Sequence, residues 1–190
     1  MASLTAITAL GGSVPRDDVI GTIRITEITT TCLASLAMRR GRAAAFAKAA
    51  ATAFDTDLPA PGQRQGDHAR GVIWMGADQF LAEDDTGTAD MAGGFARGLG
   101  TTFGDCASIT DQSDAWVRFD IRGDDAPAML ERLSAADTRQ MVAGAALRTP
   151  VHHMLCVLVC RETGTTFTLY GPRASAQSLH HALTAAAASL

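Results

Sequence analysis

The four cysteines are candidates for chemistry, because thiolates bind metal ions and act as nucleophiles. Cys156 and Cys160 are four residues apart, so on a strand their side chains share one face about 13 Å apart, which is too far for one metal ion. A structural zinc site would need a Cys-x2-4-Cys pair at a turn and a second such pair elsewhere. Cys32 and Cys106 offer no such pair. The sequence therefore predicts buried structural thiols.

The histidines include two adjacent pairs, His152-His153 and His180-His181. Neighbouring side chains point to opposite faces of a strand, or about 100° apart on a helix. Neither pair is therefore expected to form a joint site. Packed or solvated histidines are the prediction, since histidine is of intermediate burial in folded proteins.

Acidic pairs and a glycine-rich segment are the remaining candidates for chemistry. Asp17-Asp18, Asp84-Asp85 and Asp124-Asp125 lie in segments typical of turns, where aspartate accepts hydrogen bonds from backbone N–H groups. The segment from Gly93 to Gly100 matches neither the dinucleotide-binding nor the P-loop pattern and is interpreted as the end of a helix. No catalytic, cofactor-binding or metal-binding residues are predicted on this chain.

Arg173 is the single candidate for a contact with another chain. It follows Gly171-Pro172, between a predicted strand and the last predicted helix. A fixed turn can aim the guanidinium at a carboxylate of another chain, and arginine binds carboxylates through two parallel hydrogen bonds. Arg173 is therefore predicted as a subunit contact, with an ordinary surface arginine as the alternative.

Length and composition restrict the class of protein. A chain of 190 residues fits one domain or a tight pair of half-domains. A net charge of −4 with interspersed signs gives no dominant positive field, so nucleic acid is not an expected partner. No apolar run reaches the roughly 18 to 20 residues of a membrane span. Scattered cysteines and no recognisable secretory leader favour a soluble, cytoplasmic protein.

Residue patterns in the first half predict the elements in order. Residues 1–18 are interpreted as an irregular N-terminal arm and residues 19–38, rich in β-branched side chains, as extended structure. A helix is predicted from Gly41 onwards, because apolar residues recur there at helical spacing. The apolar positions of that helix are Phe46, Ala50, Ala53 and Phe54.

A loop, a hairpin and a second helix complete the predicted first half. Residues 55–69 carry two prolines and polar side chains and are predicted as a surface loop. Gly76-Ala77-Asp78 connects two short strands in a hairpin. Met91, Phe95 and Leu99 are spaced four apart, as on one stripe of a helix.

The second half repeats this order of elements. Alternating residues 115–121 predict a strand with one apolar face and one solvated face that carries Arg118 and Asp120. Asp124 and Asp125 suit the start of a helix. Residues 151–160 predict a central strand covered on both faces, followed by a turn at Thr163-Gly164. The final helix is predicted to begin after Ser175, with its apolar stripe at Leu179, Ala182, Leu183 and Ala186.

The predicted fold is α+β, with two βαββα units offset by roughly 85 residues. Residues 1–18 form the arm, and residues 19–190 form a single globular domain with halves of about 19–104 and 105–190.

Five segments resemble the gamma subunit of heterotetrameric sarcosine oxidase. They follow one another in the same order as in that family and together extend over nearly the whole chain. These are Arg24-Ile25-Thr26-Glu27-Ile28, Leu58-Pro59-Ala60-Pro61-Gly62, Val72-Ile73-Trp74-Met75-Gly76-Ala77-Asp78-Gln79-Phe80-Leu81, Thr110-Asp111-Gln112-Ser113-Asp114-Ala115-Trp116-Val117 and Leu169-Tyr170-Gly171-Pro172-Arg173. The resemblance implies a fold similar to the folate-binding domain of glycine-cleavage aminomethyltransferases.

The resemblance also implies a structural role without chemistry on this chain. In such oxidases FAD, FMN, NAD, tetrahydrofolate and zinc belong to the alpha, beta and delta subunits, which would be the partners here. Sarcosine is oxidatively demethylated to glycine, with hydrogen peroxide and a one-carbon unit passed to tetrahydrofolate. No cofactor residues carry over to this sequence.

Two departures from the family pattern leave alternatives open. The chain has Gly171-Pro172-Arg173-Ala174 where the family has Val-Pro-Arg-Ser, and a Gly-Cys-Pro-Leu-Asp-like segment is replaced around residues 133–140. The complex could therefore be a related N-methyl amine oxidase. A free-standing, folate-binding aminomethyltransferase-like protein and a homodimeric module that binds a small acid are the other hypotheses.

Overall fold

The computed structural model describes residues 6–87 and 93–190. Within them the strands are β1 (Asp17–Ile20), β2 (Ile23–Ile28), β3 (Cys32–Met38), β4 (Arg64–Gly66), β5 (Arg70–Gly76), β6 (Gln79–Asp84), β7 (Ala107–Asp111), β8 (Trp116–Arg122), β9 (Ala146–Val151), β10 (Met154–Glu162) and β11 (Thr166–Pro172). The α-helices are α1 (Ala43–Phe54), α2 (Gly94–Phe103), α3 (Ala126–Glu131) and α4 (Ala176–Ala188).

The chain divides into two compact units that interleave along the sequence. The middle unit comprises Thr30–Asp114 and Gly144–Ala146, and the terminal unit comprises Met1–Thr29, Ala115–Ala143 and Leu147–Leu190. Each unit contains one antiparallel sheet and two of the described helices, so the α+β prediction is confirmed. The units differ from the predicted halves in that the first strands belong with the second half of the sequence.

The sheet of the middle unit has the strand order β4-β5-β6-β3-β7. Helices α1 and α2 contribute Phe46, Phe54, Phe95 and Leu99 to a core that also contains Leu36 from β3. The predicted stripe of α1 is confirmed, because Phe46, Ala50 and Phe54 are buried. Burial of this stripe holds α1 on the sheet, since isolated helices of this length are marginal in water.

The sheet of the terminal unit has the order β1-β2-β8-β11-β10-β9. Ile25 of β2 pairs with Ile121 of β8, so strands from the two ends of the chain are neighbours. The predicted stripe of α4 is confirmed, with Leu179 and Leu183 fully buried. A Cβ atom at Gly171 would collide with Leu179, so the glycine on β11 permits this close packing of helix on sheet.

The predicted βαββα order is present twice, each time with one more strand. β3, α1, β4, β5, β6 and α2 follow the same order as β8, α3, β9, β10, β11 and α4. The additional strand β4 lies inside residues 55–69, which were predicted as a loop. Only three residues form β4, and they are a strand because they pair with β5. Local composition does not predict such long-range pairing.

Four further expectations are corrected by the structure. His152-His153 is the turn between β9 and β10 and not part of one strand over residues 151–160. Gly93 precedes α2, so the glycine-rich segment begins that helix and does not end one; the predicted Met91 lies outside the described residues. Asp17-Asp18 lie in β1, and Asp84 is the last residue of β6.

Candidate functional site

Arg173 opens a short 3-10 turn, Arg173–Ser175, that joins β11 to α4. Its backbone N–H donates to the carbonyl of Ala115 at 3.0 Å, which fixes the turn against the start of β8. Its guanidinium Nη2 donates to the carbonyl of Ile7 at 3.4 Å. No carboxylate of the described residues pairs with Arg173, so the guanidinium is positioned by the protein but retains most of its donor capacity.

Glu27 of β2 fixes the part of the N-terminal segment that follows Ile7. Its side chain is 2% exposed, and its two carboxylate oxygens accept hydrogen bonds from the backbone N–H groups of Leu10 and Arg16, each at 3.1 Å. The Glu27 N–H donates to the Arg16 carbonyl at 2.7 Å. A buried carboxylate requires such donors, so the segment between Leu10 and Arg16 satisfies Glu27 and is itself fixed by it.

Asp18 of β1 and His180 of α4 make a second link in the same unit. His180 Nε2 lies 2.7 Å from Asp18 Oδ2, and the His180 ring packs beside Phe119 with ring centroids 5.9 Å apart. Arg16 Nε approaches the same carboxylate oxygen at 3.6 Å. His180 is therefore a packed, hydrogen-bonded histidine that joins the edge strand to the last helix.

Exposed apolar side chains lie along the N-terminal segment and β1. Ile7 is 61% and Val14 71% exposed, and Val19 of the neighbouring β1 is 61% exposed. Exposed apolar side chains on a fixed backbone are suited to contact with another protein. Arg173 bonds the backbone carbonyl of Ile7, one of these exposed residues.

A buried polar network crosses the sheet of the terminal unit. Asp120 accepts from Arg118 and also from Thr168 Oγ1 at 2.8 Å. Arg161 donates from Nε to Thr168 Oγ1 at 2.9 Å and from Nη2 to the Tyr170 hydroxyl at 3.3 Å. Arg118 and Asp120 were predicted on a solvated face, but each is only 8% exposed.

The middle unit holds two buried acids, each paired with an arginine. Arg64 bonds Glu83, and Arg70 Nη2 lies 2.6 Å from Asp84 Oδ2. Burial of Asp84 acts to raise its pKa, but hydrogen bonds from the Thr86 hydroxyl and N–H and from Arg70 outweigh that effect. The pKa of Asp84 is therefore lower than the usual 3.8, and the carboxyl is an ionised, paired group.

All four cysteines are free and buried, so the prediction of buried thiols is confirmed. Burial raises the pKa of the Cys156 thiol to about 11 and also raises that of Cys160. Among the described residues, no group of three or more histidine, cysteine, aspartate or glutamate side chains is placed to hold a metal ion. No helix in this part of the chain is long and apolar enough to cross a membrane.

Arg173 was predicted from the sequence, whereas the role of Glu27 and the pairing of Arg118 with Asp120 were not. A signal was present for the pair, because oppositely charged residues at positions i and i+2 lie on one face of a strand. Glu27 carried a weaker signal: it shares the face of Ile23 and Ile25, both of which are buried. A charge on the apolar side of a strand requires a buried partner.

The fold is of the kind found in the folate-binding domain of glycine-cleavage aminomethyltransferases and in heterotetrameric sarcosine oxidase. A chain of the heterotetrameric sarcosine oxidase from Corynebacterium sp. U-96 superposes with a TM-score of 0.76 at 22% identity, covering 88% of this chain and 84% of that chain. The glycine cleavage system aminomethyltransferase T from Bartonella henselae gives a TM-score of 0.59 at 15% identity. That match covers 83% of this chain and 44% of the aminomethyltransferase. At these identities the comparisons establish the fold.

No protein-family model and no curated protein sequence matches the chain.

Proposed function

We propose that this chain is a non-catalytic, gamma-type subunit of a heterotetrameric sarcosine oxidase complex. Such a complex demethylates sarcosine oxidatively to glycine, forms hydrogen peroxide and passes a one-carbon unit to tetrahydrofolate. The observation that carries the proposal is the likeness to the Corynebacterium oxidase over 84% of the matched chain. A chain of matching fold and extent is what a counterpart of the matched chain requires.

The proposed partners are alpha, beta and delta subunits in the cytoplasm, and they would carry FAD, FMN, NAD, tetrahydrofolate and zinc. The internal pairing of the polar groups supports a structural role for this chain. Glu83, Asp84 and Asp120 each bond an arginine of the same unit. Carboxylates held in this way stabilise a fold and are poorly suited to exchange protons with a substrate.

The proposed contacts with the partners are Arg173 and the exposed side chains of Ile7, Val14 and Val19. The apolar side chains would be covered in the complex, and the guanidinium of Arg173 would meet a carboxylate of a neighbouring subunit. Glu27 fixes the backbone on both sides of Val14 through Leu10 and Arg16, which lowers the entropy that this segment loses on association.

The test is to tag this chain in its native host, purify it gently, and record the visible spectrum and the masses of the proteins that co-purify. A yellow complex with larger flavoprotein chains is the expected result. Peroxide production that depends on sarcosine would then establish the substrate, whereas activity only with another N-methyl amine would identify a related oxidase. A colourless lone chain, under conditions where the oxidase is expressed, would contradict the subunit role.

The second candidate is a free-standing, folate-binding protein, which the likeness to the aminomethyltransferase supports. This chain spans less than half the length of that enzyme. Calorimetric titration of the isolated chain with tetrahydrofolate separates the two candidates. Saturable binding would favour the folate-binding protein, and the absence of heat of binding would favour the subunit.

A further inference from the structure

The turn between β9 and β10 consists of His152 and His153, and both have positive backbone φ angles, 46° and 68°. Two consecutive positive φ angles define the type I′ hairpin turn, which Asn-Gly and Asp-Gly fill most readily. Side chains larger than glycine are strained in this left-handed region. Histidines at both positions therefore carry a conformational cost. Residues with a strained backbone cluster at functional sites, so the two side chains are candidates for a function.

The two imidazoles lie beside each other at the exposed tip of this hairpin. Their ring centroids are 5.6 Å apart, with the planes inclined at 47°, and both residues are exposed. Within residues 6–87 and 93–190 neither imidazole takes part in a hydrogen bond or ion pair. The expectation that neighbouring histidines point apart is therefore wrong here, because a turn brings together side chains that a strand would separate.

The spacing of the rings suits a shared metal ion. A histidine nitrogen binds zinc at about 2.0–2.1 Å, so two imidazoles on one tetrahedral ion have ring centroids roughly 5 Å apart. The observed 5.6 Å differs from this by about half an ångström, which small side-chain rotations at an exposed turn can supply.

We propose that His152 and His153 form a two-ligand surface site for a borderline divalent metal ion, with water completing the coordination. Imidazole suits copper, nickel and zinc, and the stability order of divalent ions predicts that Cu²⁺ binds more tightly than Zn²⁺. The other pair, His180-His181, provides an internal contrast. His180 is held by Asp18 at 2.7 Å, so that pair is not arranged for joint binding.

The test is calorimetric titration of the untagged full chain with Zn²⁺ and with Cu²⁺, compared with the variants His152→Asn and His153→Gly and their combination. The combined substitution creates the preferred residues of a type I′ turn, so the hairpin remains folded. The matched control is His181→Ala, which removes an exposed histidine elsewhere.

The expected result is one ion per chain, bound more tightly as Cu²⁺ than as Zn²⁺. Each single variant should weaken binding by about tenfold or more, because the second ligand acts at a high effective concentration. The combined variant should abolish the site, and His181→Ala should leave it unchanged. Equal binding by the wild type and the combined variant, or loss of binding in His181→Ala, would overturn the proposal.

Discussion

Arg118 and Asp120, two residues apart on β8, form an ion pair through two hydrogen bonds. Arg118 Nε lies 2.9 Å from Asp120 Oδ1, and Nη2 lies 3.0 Å from Oδ2. Both side chains are largely buried, and Thr168 and Arg161 extend the network. A buried pair of this kind stabilises little relative to apolar residues, but loss of one partner leaves a charge without compensation.

Replacing Asp120 by alanine should therefore lower the free energy of unfolding by about 3–5 kcal/mol. The matched control is Asp17→Ala, which breaks the exposed pair with Arg24 and should cost less than about 1 kcal/mol. The measurement is equilibrium unfolding in urea. A double variant, Arg118→Met with Asp120→Leu, should be more stable than Asp120→Ala, because it leaves no buried charge without a partner. Equal losses of unfolding free energy in Asp120→Ala and Asp17→Ala would show that the Arg118–Asp120 pair is not a buried ion pair.

Substitution of Glu27 by glutamine should release the N-terminal segment. The amide can accept only through its single oxygen, so one of the N–H groups of Leu10 and Arg16 loses its acceptor. The free energy of unfolding should fall by about 1–3 kcal/mol, and hydrogen exchange at these two amides should accelerate.

Glu131→Gln is the control for this experiment, because Glu131 pairs with Arg139 at the surface. It should leave exchange at Leu10 and Arg16 unchanged. Unaltered exchange in Glu27→Gln would show that the segment is held by other contacts.

The stability of the chain should depend on Asp84 in acid. Because the pKa of Asp84 is lower in the folded chain than the usual 3.8, its ionised form contributes stability above that value. This contribution should be lost as the pH falls from about 4 through the folded pKa. The unfolding free energies of wild type and Asp84→Asn should thus converge in acid, as measured by urea titration at a series of pH values.

Thr86→Val is the companion variant for Asp84, because it keeps the carboxyl and removes the hydroxyl bond to Asp84 at 2.6 Å. Its acid dependence should lie between those of the wild type and Asp84→Asn. If the unfolding free energies of wild type and Asp84→Asn differed by the same amount at every pH, the pKa of Asp84 would not be lowered in the folded chain.

Cys156 should resist alkylation in the folded chain. Burial raises the pKa of its thiol to about 11, although a backbone hydrogen bond from Val151 acts in the opposite direction. At about pH 8 the thiolate is then scarce as well as shielded. Iodoacetamide followed by peptide mass spectrometry should modify Cys156 only after unfolding, whereas a cysteine introduced by Ala51→Cys on the exposed side of α1 should react at once.

Arg173→Ala should weaken co-purification of the proposed partner subunits without unfolding the chain. The backbone N–H of residue 173 still bonds Ala115, so the turn before α4 is preserved. The measurement is the yield of partner chains in the affinity purification. Arg40→Ala, at an exposed arginine of the middle unit, should leave that yield unchanged, and an intact complex in Arg173→Ala would remove Arg173 from the interface.

Periodicity alone determined most of the elements. The helical spacing of Phe46, Ala50 and Phe54 predicted α1, and the alternation of Val117, Phe119 and Ile121 predicted β8, because side-chain direction in each element follows from local backbone geometry. The α+β class followed from the order of these elements, since the same order occurs in both halves of the sequence.

The tertiary structure decided which strands pair and which charges are buried. Pairing of β2 with β8 joins residues almost a hundred positions apart. Asp120 is buried because β2 and β11 flank β8 and Thr168 of β11 bonds its carboxylate. Glu27 likewise acquires its role from Leu10 and Arg16, which approach it through the course of a segment without regular structure. Local sequence sets the direction of a side chain, but long-range contacts set its surroundings, and those surroundings fix its energy.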